Sequence, residues 1–163
     1  MIRNATEHDL NGILNIYNDA IVHTTTVYTY EKTNLEERKE WFNNKLKSNL
    51  PVLVFEKDGE VAGFASYGPF RDWAAYQYTI EHSIYVNPNY RRQGIASQLL
   101  DQLILIAKEN GYRTMVAGID SSNEGSVILH KRKGFKHVGT LEKVGYKFET
   151  WLDLVFYQID LHD

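Results

Sequence analysis

Residues 91–97, RRQGIAS, place Arg91, Arg92, Gln93 and Gly94 where a turn passes into a helix that begins with Ile95, Ala96 and Ser97. A helix start leaves several backbone N–H groups without partners and carries about half a positive charge from the macrodipole. A glycine there lets the backbone approach an anion closely, and two guanidinium groups add formal charge. Such a joint suits a pyrophosphate, although a glycine before a helix also serves as an ordinary turn. The sequence holds no G-x-x-x-x-G-K-[ST] loop, and one glycine does not make a G-x-G-x-x-G fingerprint.

Other residues have types suited to chemistry. In YTIEHSIYV, residues 78–86, strand alternation puts Glu81, Ser83 and Tyr85 on one face and Ile80, His82, Ile84 and Val86 on the other. A carboxylate inside so apolar a run is either a solvent-facing edge residue or a working acid–base group. Asn123, Ser126 and His130 fall three and seven positions apart and share one helix face. Arg71, in GPFRDWAAY, either clamps a carboxylate with two parallel hydrogen bonds or pairs with Asp72 next to it. Tyr28 and Tyr30 line a pocket or pack as β-rich chain; Trp73 and Trp151 read as core or pocket wall. The six histidines form no metal-ligand spacing, so no metal is expected.

These residues need elements to hold them. Thr6 with Asp9 opens a helix whose Leu10, Ile13, Leu14, Tyr17 and Ile21 share a face, and Asn34 with Glu37 opens a second from Leu35 to about Leu46. The Thr- and Tyr-rich stretch 23–31 between them reads as a wall of a site. Two strand-like runs flank the turn at Asp58 and Gly59, and a further strand spans about residues 77–86. A helix over about 93–110 ends at Gly111, residues 114–119 form a strand, and a short helix over 123–133 ends at Gly134. The tail from Phe135 reads as two strands. A strand–helix–strand crossover within otherwise antiparallel pairing predicts a mixed α/β domain covering residues 1–163, with one central parallel strand pair.

Composition narrows the function. With 43% hydrophobic and 24% charged residues the chain is an ordinary globular one. A net charge of −3 without a long basic block argues against nucleic acid as a partner. There is no cysteine, which removes disulfides, thiolate metal sites and a cysteine nucleophile and fits a reducing cytoplasm. No stretch approaches the roughly 20 apolar residues that cross a bilayer, so no membrane is expected.

SIYVNPNYRRQGIASQLL, residues 83–100, resembles the acetyl-coenzyme A motif of the GNAT superfamily of N-acetyltransferases, a strand, a short turn and Q/R-x-x-G-x-G/A opening a helix. Arg91, Gly94 and Ala96 fill the pattern. Residues 120–135 are similar to the second cofactor segment, where Asn123 matches an asparagine that contacts the pantetheine arm. Residues 2–28, 36–42, 79–86 and 144–161 are together similar to the phosphinothricin acetyltransferase branch, which acetylates the α-amine of glutamate-like or methionine-sulfone-like amino acids.

The resemblance implies a GNAT-like sheet with helices on both faces, acetyl-CoA as co-substrate, a homodimer, and direct attack in a ternary complex. Glu81 then matches the proposed general base, and Ile84, Tyr85, Val86, residues 91–97, Asn123 and Ser126 are the implied cofactor contacts. A backbone N–H near Tyr85 or Val86, on a bulged and splayed strand, would steady the carbonyl oxygen. Tyr28, Tyr30, Arg71 and Trp73 are the expected substrate contacts. His130 stands where many members have a tyrosine that protonates the departing thiolate. A thiol of pKa about 8.5 leaves readily unaided, so His130 reads as structural first and as a catalytic acid second. A protein or peptide N-acetyltransferase and a non-catalytic acyl-CoA sensor are the other readings.

Overall fold

Local signals set most of the elements in the computed structural model, which describes residues 1–162. Helix α1 (Leu10–His23) follows a short 3-10 turn in which the Asp9 carboxylate accepts from the Thr6 N–H at 2.8 Å, and Arg3 grips the same carboxylate at 2.8 and 2.9 Å. Helix α2 (Leu35–Lys47) starts where the Asn34 side chain accepts from the Glu37 N–H at 2.9 Å. Strands β2 (Val52–Lys57) and β3 (Glu60–Pro69) meet at Asp58 and Gly59, both at positive φ (54° and 76°), as a primed hairpin turn requires. Strand β4 (Thr79–Val86), helix α3 (Ile95–Glu109), strand β5 (Thr114–Asp120), helix α4 (Glu124–Arg132) and strands β6 (Lys136–Lys147) and β7 (Thr150–Asp160) follow. A three-residue strand, β1 (Ile2–Asn4), was not foreseen; it is too short to show a period and pairs with β2.

The seven strands run in the order β1-β2-β3-β4-β5-β7-β6, antiparallel except for the β4–β5 pair. One face buries Leu99, Leu100, Leu103 and Ala107 of α3 against Ile80, Met115, Ala117 and Tyr157, with Val127 and Leu129 of α4 packed alongside. The other buries Leu10, Ile13 and Ile16 of α1 and Phe42 of α2 against Val52, Val54 and Phe64. The helices therefore cover both faces, as the resemblance implied. Tyr85 joins the α1/α2 side and Ile84 and Val86 the α3/α4 side, so the alternation read for β4 holds.

Two expectations change. Trp151 is 64% exposed and belongs neither to the core nor to a pocket wall: it stands on the outer hairpin against Tyr146, with ring centroids 4.8 Å apart, while Trp73, 79% exposed, keeps only the pocket-wall reading. Strand β4 keeps an unbroken register with β3 from Val86 opposite Gly63 to Ile80 opposite Pro69, so there is no bulge on that side. What frees its backbone is divergence from β5: their pairing stops at Glu81 and Val116.

Candidate active site

Beyond that last pair the two central strands part and a cleft of about 890 Å³ opens between them. Its walls are Ser83 to Val86 of β4, Gly118 to Asp120 of β5, the start of α3, and Asn123, Ser126 and His130 of the α4 segment. The Asn87 N–H donates to the Ala62 carbonyl at 2.8 Å, so by the alternation of an antiparallel ladder the odd-numbered residues of β4 bond to β3. The N–H groups of Ile84 and Val86 then face away from β3 into the cleft, and of Tyr85 and Val86 only Val86 turns its N–H that way.

At one end lies the arginine–glycine joint. Arg92 (φ 63°) and Gly94 (φ 75°) both adopt left-handed backbone, and no side-chain hydrogen bond caps α3. A Cβ on Gly94 would meet nothing nearer than the Gln98 amide at 3.9 Å, so it is the positive φ that calls for glycine there. Arg91, Arg92, Gly94, Ile95, Ala96 and Ser97 line the cleft. Gln93 does not: its side-chain oxygen accepts a hydrogen bond from Lys57. Uncapped N–H groups, left-handed turns and two exposed guanidiniums make a cradle that fits a diphosphate.

Glu81 stands where the cleft begins, on the α1/α2 side of the sheet. Its Oε2 lies 3.1 Å from where a Cβ on Gly118 would be, with Leu154 and Phe156 beside the same spot at 3.6 and 3.5 Å. The carboxylate thus occupies a niche that exists because residue 118 has no side chain. Burial pushes its pKa up from the usual carboxylate value, and the Arg71 charge opposes this only in part. Arg71 itself is exposed, stacks over Phe70 at 4.1 Å and donates to the Phe70 carbonyl at 2.6 Å. The pairing with Asp72 that its sequence position allowed is not formed.

On the α3/α4 side, His130 is buried and its Nδ1–H donates to the Ser126 carbonyl at 2.7 Å, which leaves Nε2 as an acceptor. His82 supplies the proton: its Nε2 lies 2.9 Å from that nitrogen, and the two ring planes are within 9° of parallel with centroids 5.0 Å apart, as an edge-to-edge N–H···N bond requires. Burial lowers both pKa values, that of His82 to about 3, so both rings are neutral. His82, absent from the sequence-based candidates, is brought to the cleft by its partner forty-eight residues on. Asn123 caps α4 by accepting from the Ser126 N–H at 3.2 Å, which holds its amide at the cleft wall.

The Thr- and Tyr-rich stretch is indeed a wall, and sequence reasoning missed what fastens it. Buried Asp120 accepts from Thr25 at 2.6 Å, from Tyr28 at 2.8 Å and from Ser122. Buried Lys147 donates to the Val27 carbonyl at 2.7 Å, and Tyr30 donates to that of Tyr146. The Tyr28 ring lies over Gly145, where an added Cβ would come within 2.8 Å of it. Tyr28 and Tyr30 therefore pin the loop to the sheet. Trp73 lies apart, with Arg71, Gln77 and Tyr112 around a smaller pocket of about 280 Å³. Among the described residues no group of histidine, cysteine and acidic side chains could hold a metal, and no helix is long and apolar enough to cross a membrane.

A strand pair splayed over an uncapped helix start, with a carboxylate at the fork, defines a class of acyl-coenzyme A transferases, and comparison with known proteins agrees. Residues 11–135 match the Acetyltransferase (GNAT) family, and the chain belongs to it. It is 44% identical over 161 residues to the L-methionine sulfoximine/L-methionine sulfone acetyltransferase of Pseudomonas aeruginosa, covering 98% of this chain and 94% of that protein. The crystal structure of an N-acetyltransferase from Staphylococcus aureus Mu50 is similar at a TM-score of 0.99 and 60% identity, covering 99% and 98% of the two chains. A protein of Salmonella typhimurium solved with its cofactor acetyl-CoA is similar at 0.97 and 39%, covering 100% and 94%.

Proposed function

We propose that this acetyltransferase moves the acetyl group of acetyl-CoA to the α-amine of a small amino acid with an oxidised, tetrahedral side-chain centre, as in methionine sulfone, methionine sulfoximine or phosphinothricin. One observation carries the reading: the Glu81 carboxylate stands in the Gly118 niche where β4 leaves β5, at the mouth of the cleft. An alkylammonium group has a pKa near ~10 and is no nucleophile until it loses a proton. Glu81, with its pKa raised by burial, takes that proton directly or through water. The joint at residues 91–97 holds the diphosphate, and Asn123 and Ser126 flank the pantetheine arm. Acetyl-CoA supplies the activated acyl group.

As the amine attacks, charge gathers on the carbonyl oxygen, and the Val86 N–H facing the cleft donates to it. Arg71, unpaired and electrostatically coupled to Glu81, receives the substrate carboxylate. His130 acts as a wall and not as an acid, because its one proton is committed to the Ser126 carbonyl and its other nitrogen to His82. The thiolate leaves unaided.

Two copies pair through the outer hairpin, where Val138, Leu141, Val144, Tyr146 and Trp151 are exposed together, and sedimentation as a two-copy species checks this. The function is tested by acetyl-CoA turnover across amino acids, their sulfone, sulfoximine and phosphinic analogues, and peptides. Turnover concentrated on the oxidised amino acids supports the reading. Preference for peptides, or acetyl-CoA binding without turnover on any amine, overturns it.

A further inference from the structure

Lys45 of α2 lies flat on the sheet over Gly68, its Nζ 3.1 Å from where a Cβ on that glycine would be. It donates to the Tyr67 carbonyl at 2.8 Å, which uses one of its three N–H groups. No carboxylate among the described residues lies within ion-pair distance of it, in contrast to Arg3, Arg113 and Lys133. Gly68 is the register partner of Glu81 across the β3–β4 ladder. Directly opposed residues point to the same face with Cβ positions about 5 Å apart, so the ammonium lies within roughly 8 Å of the Glu81 Cβ on the acceptor side of the sheet. The Glu81 carboxylate leans the other way, over β5 at Gly118. A half-buried, fixed cation without an ion-pair partner thus stands on the same face of the sheet as Glu81, on the β3 side of it, and burial pulls its pKa down.

Resting on the amino-acid reading above, we infer that Lys45 is a specificity-determining residue that donates to the oxygens of the substrate's tetrahedral side-chain centre, sulfone, sulfoximine or phosphinate. The dimensions agree. With bonds near 1.5 Å, the oxygens on the side-chain sulfur or phosphorus lie about 5 to 6 Å from the α-nitrogen, so a substrate whose amine is at the Glu81 carboxylate is long enough to bring them to the Lys45 side. A thioether offers no comparable acceptor, and a buried donor left unpaired penalises the substrate that lacks the oxygens. Arg71 and Lys45 then divide the work: one receives the carboxylate, the other reads the side chain.

The test compares methionine sulfone with methionine as acceptors for the wild type, Lys45→Gln and Lys45→Arg. Glutamine removes the charge and keeps an N–H donor for the Tyr67 carbonyl, and equal melting temperatures check that the α2–β3 tie survives. Expected for Lys45→Gln is a rise of about tenfold or more in KM for the sulfone, with KM for methionine and for acetyl-CoA within twofold, so that the preference for the sulfone collapses. Lys45→Arg keeps most of that preference. Equal losses on both acceptors, or a preference that survives Lys45→Gln, overturn the inference while leaving the acetyltransferase reading intact. A wild type that turns over neither acceptor refutes the amino-acid reading, and the inference with it.

Discussion

The neutral His82–His130 pair makes acid stability a quantitative consequence of the cleft. His82 titrates at about 3 in the folded protein against 6.5 for a free imidazole, because it is buried and faces a second ring. In the unfolded chain it binds a proton as the pH drops through 6.5, whereas in the folded chain it stays neutral until about 3. The unfolded state therefore gains protons first, and the contribution of this residue to stability falls over that whole window. Each pH unit below 6.5 costs about 1.36 kcal/mol, hence about 2 kcal/mol at pH 5. For a chain of this size that corresponds to a drop of roughly 4 to 8 °C in Tm. Thermal melts of the wild type and His82→Gln at pH 7, 6 and 5 read the effect as a difference in slope, since every other titrating group is common to both. The variant is expected to lose several degrees less than the wild type between pH 7 and 5. Parallel curves would refute the assignment of a neutral, buried pair.

Two other substitutions probe the ends of the cleft. Gly118→Ala puts a Cβ 3.1 Å from Glu81 Oε2, so the carboxylate must shift by a few tenths of an ångström; displacing the base lowers kcat, by up to about tenfold, with KM for acetyl-CoA little changed, as steady-state kinetics will show. Gly94→Ala forces a side chain onto a φ of 75°, which costs about 1 to 2 kcal/mol that binding must restore, so KM for acetyl-CoA rises roughly tenfold while KM for the amino acid holds.

What was legible in the sequence was local. The Asn34 cap, the Asp58–Gly59 turn, the glycines after α3 and α4 and the uncapped start of α3 each depend on residues within one or two turns of chain, so spacing alone exposes them. The alternation of β4 placed Glu81 on its correct face for the same reason. The niche that gives Glu81 its character was not legible, because Gly118, Leu154 and Phe156 come from two other strands. Nor were the anchors of the 23–31 wall: Asp120 and Lys147 lie about a hundred residues away and bear no periodic relation to Thr25, Tyr28 or Val27. Lys45 bears no sequence signal, because Gly68 beneath it and the Tyr67 carbonyl it donates to come from a separate strand. Trp151 misled because large aromatics are usually buried, and nothing in its neighbours marks an outer surface.

The central claim is that a carboxylate at the fork of β4 and β5 deprotonates the amine that attacks the thioester. Turnover of methionine sulfone by Glu81→Gln, with acetyl-CoA affinity measured by calorimetry on the same preparation, tests it most directly. The account predicts a fall in kcat of two or more orders of magnitude at pH 7 with cofactor affinity unchanged. A variant that keeps wild-type kcat across the pH range contradicts it.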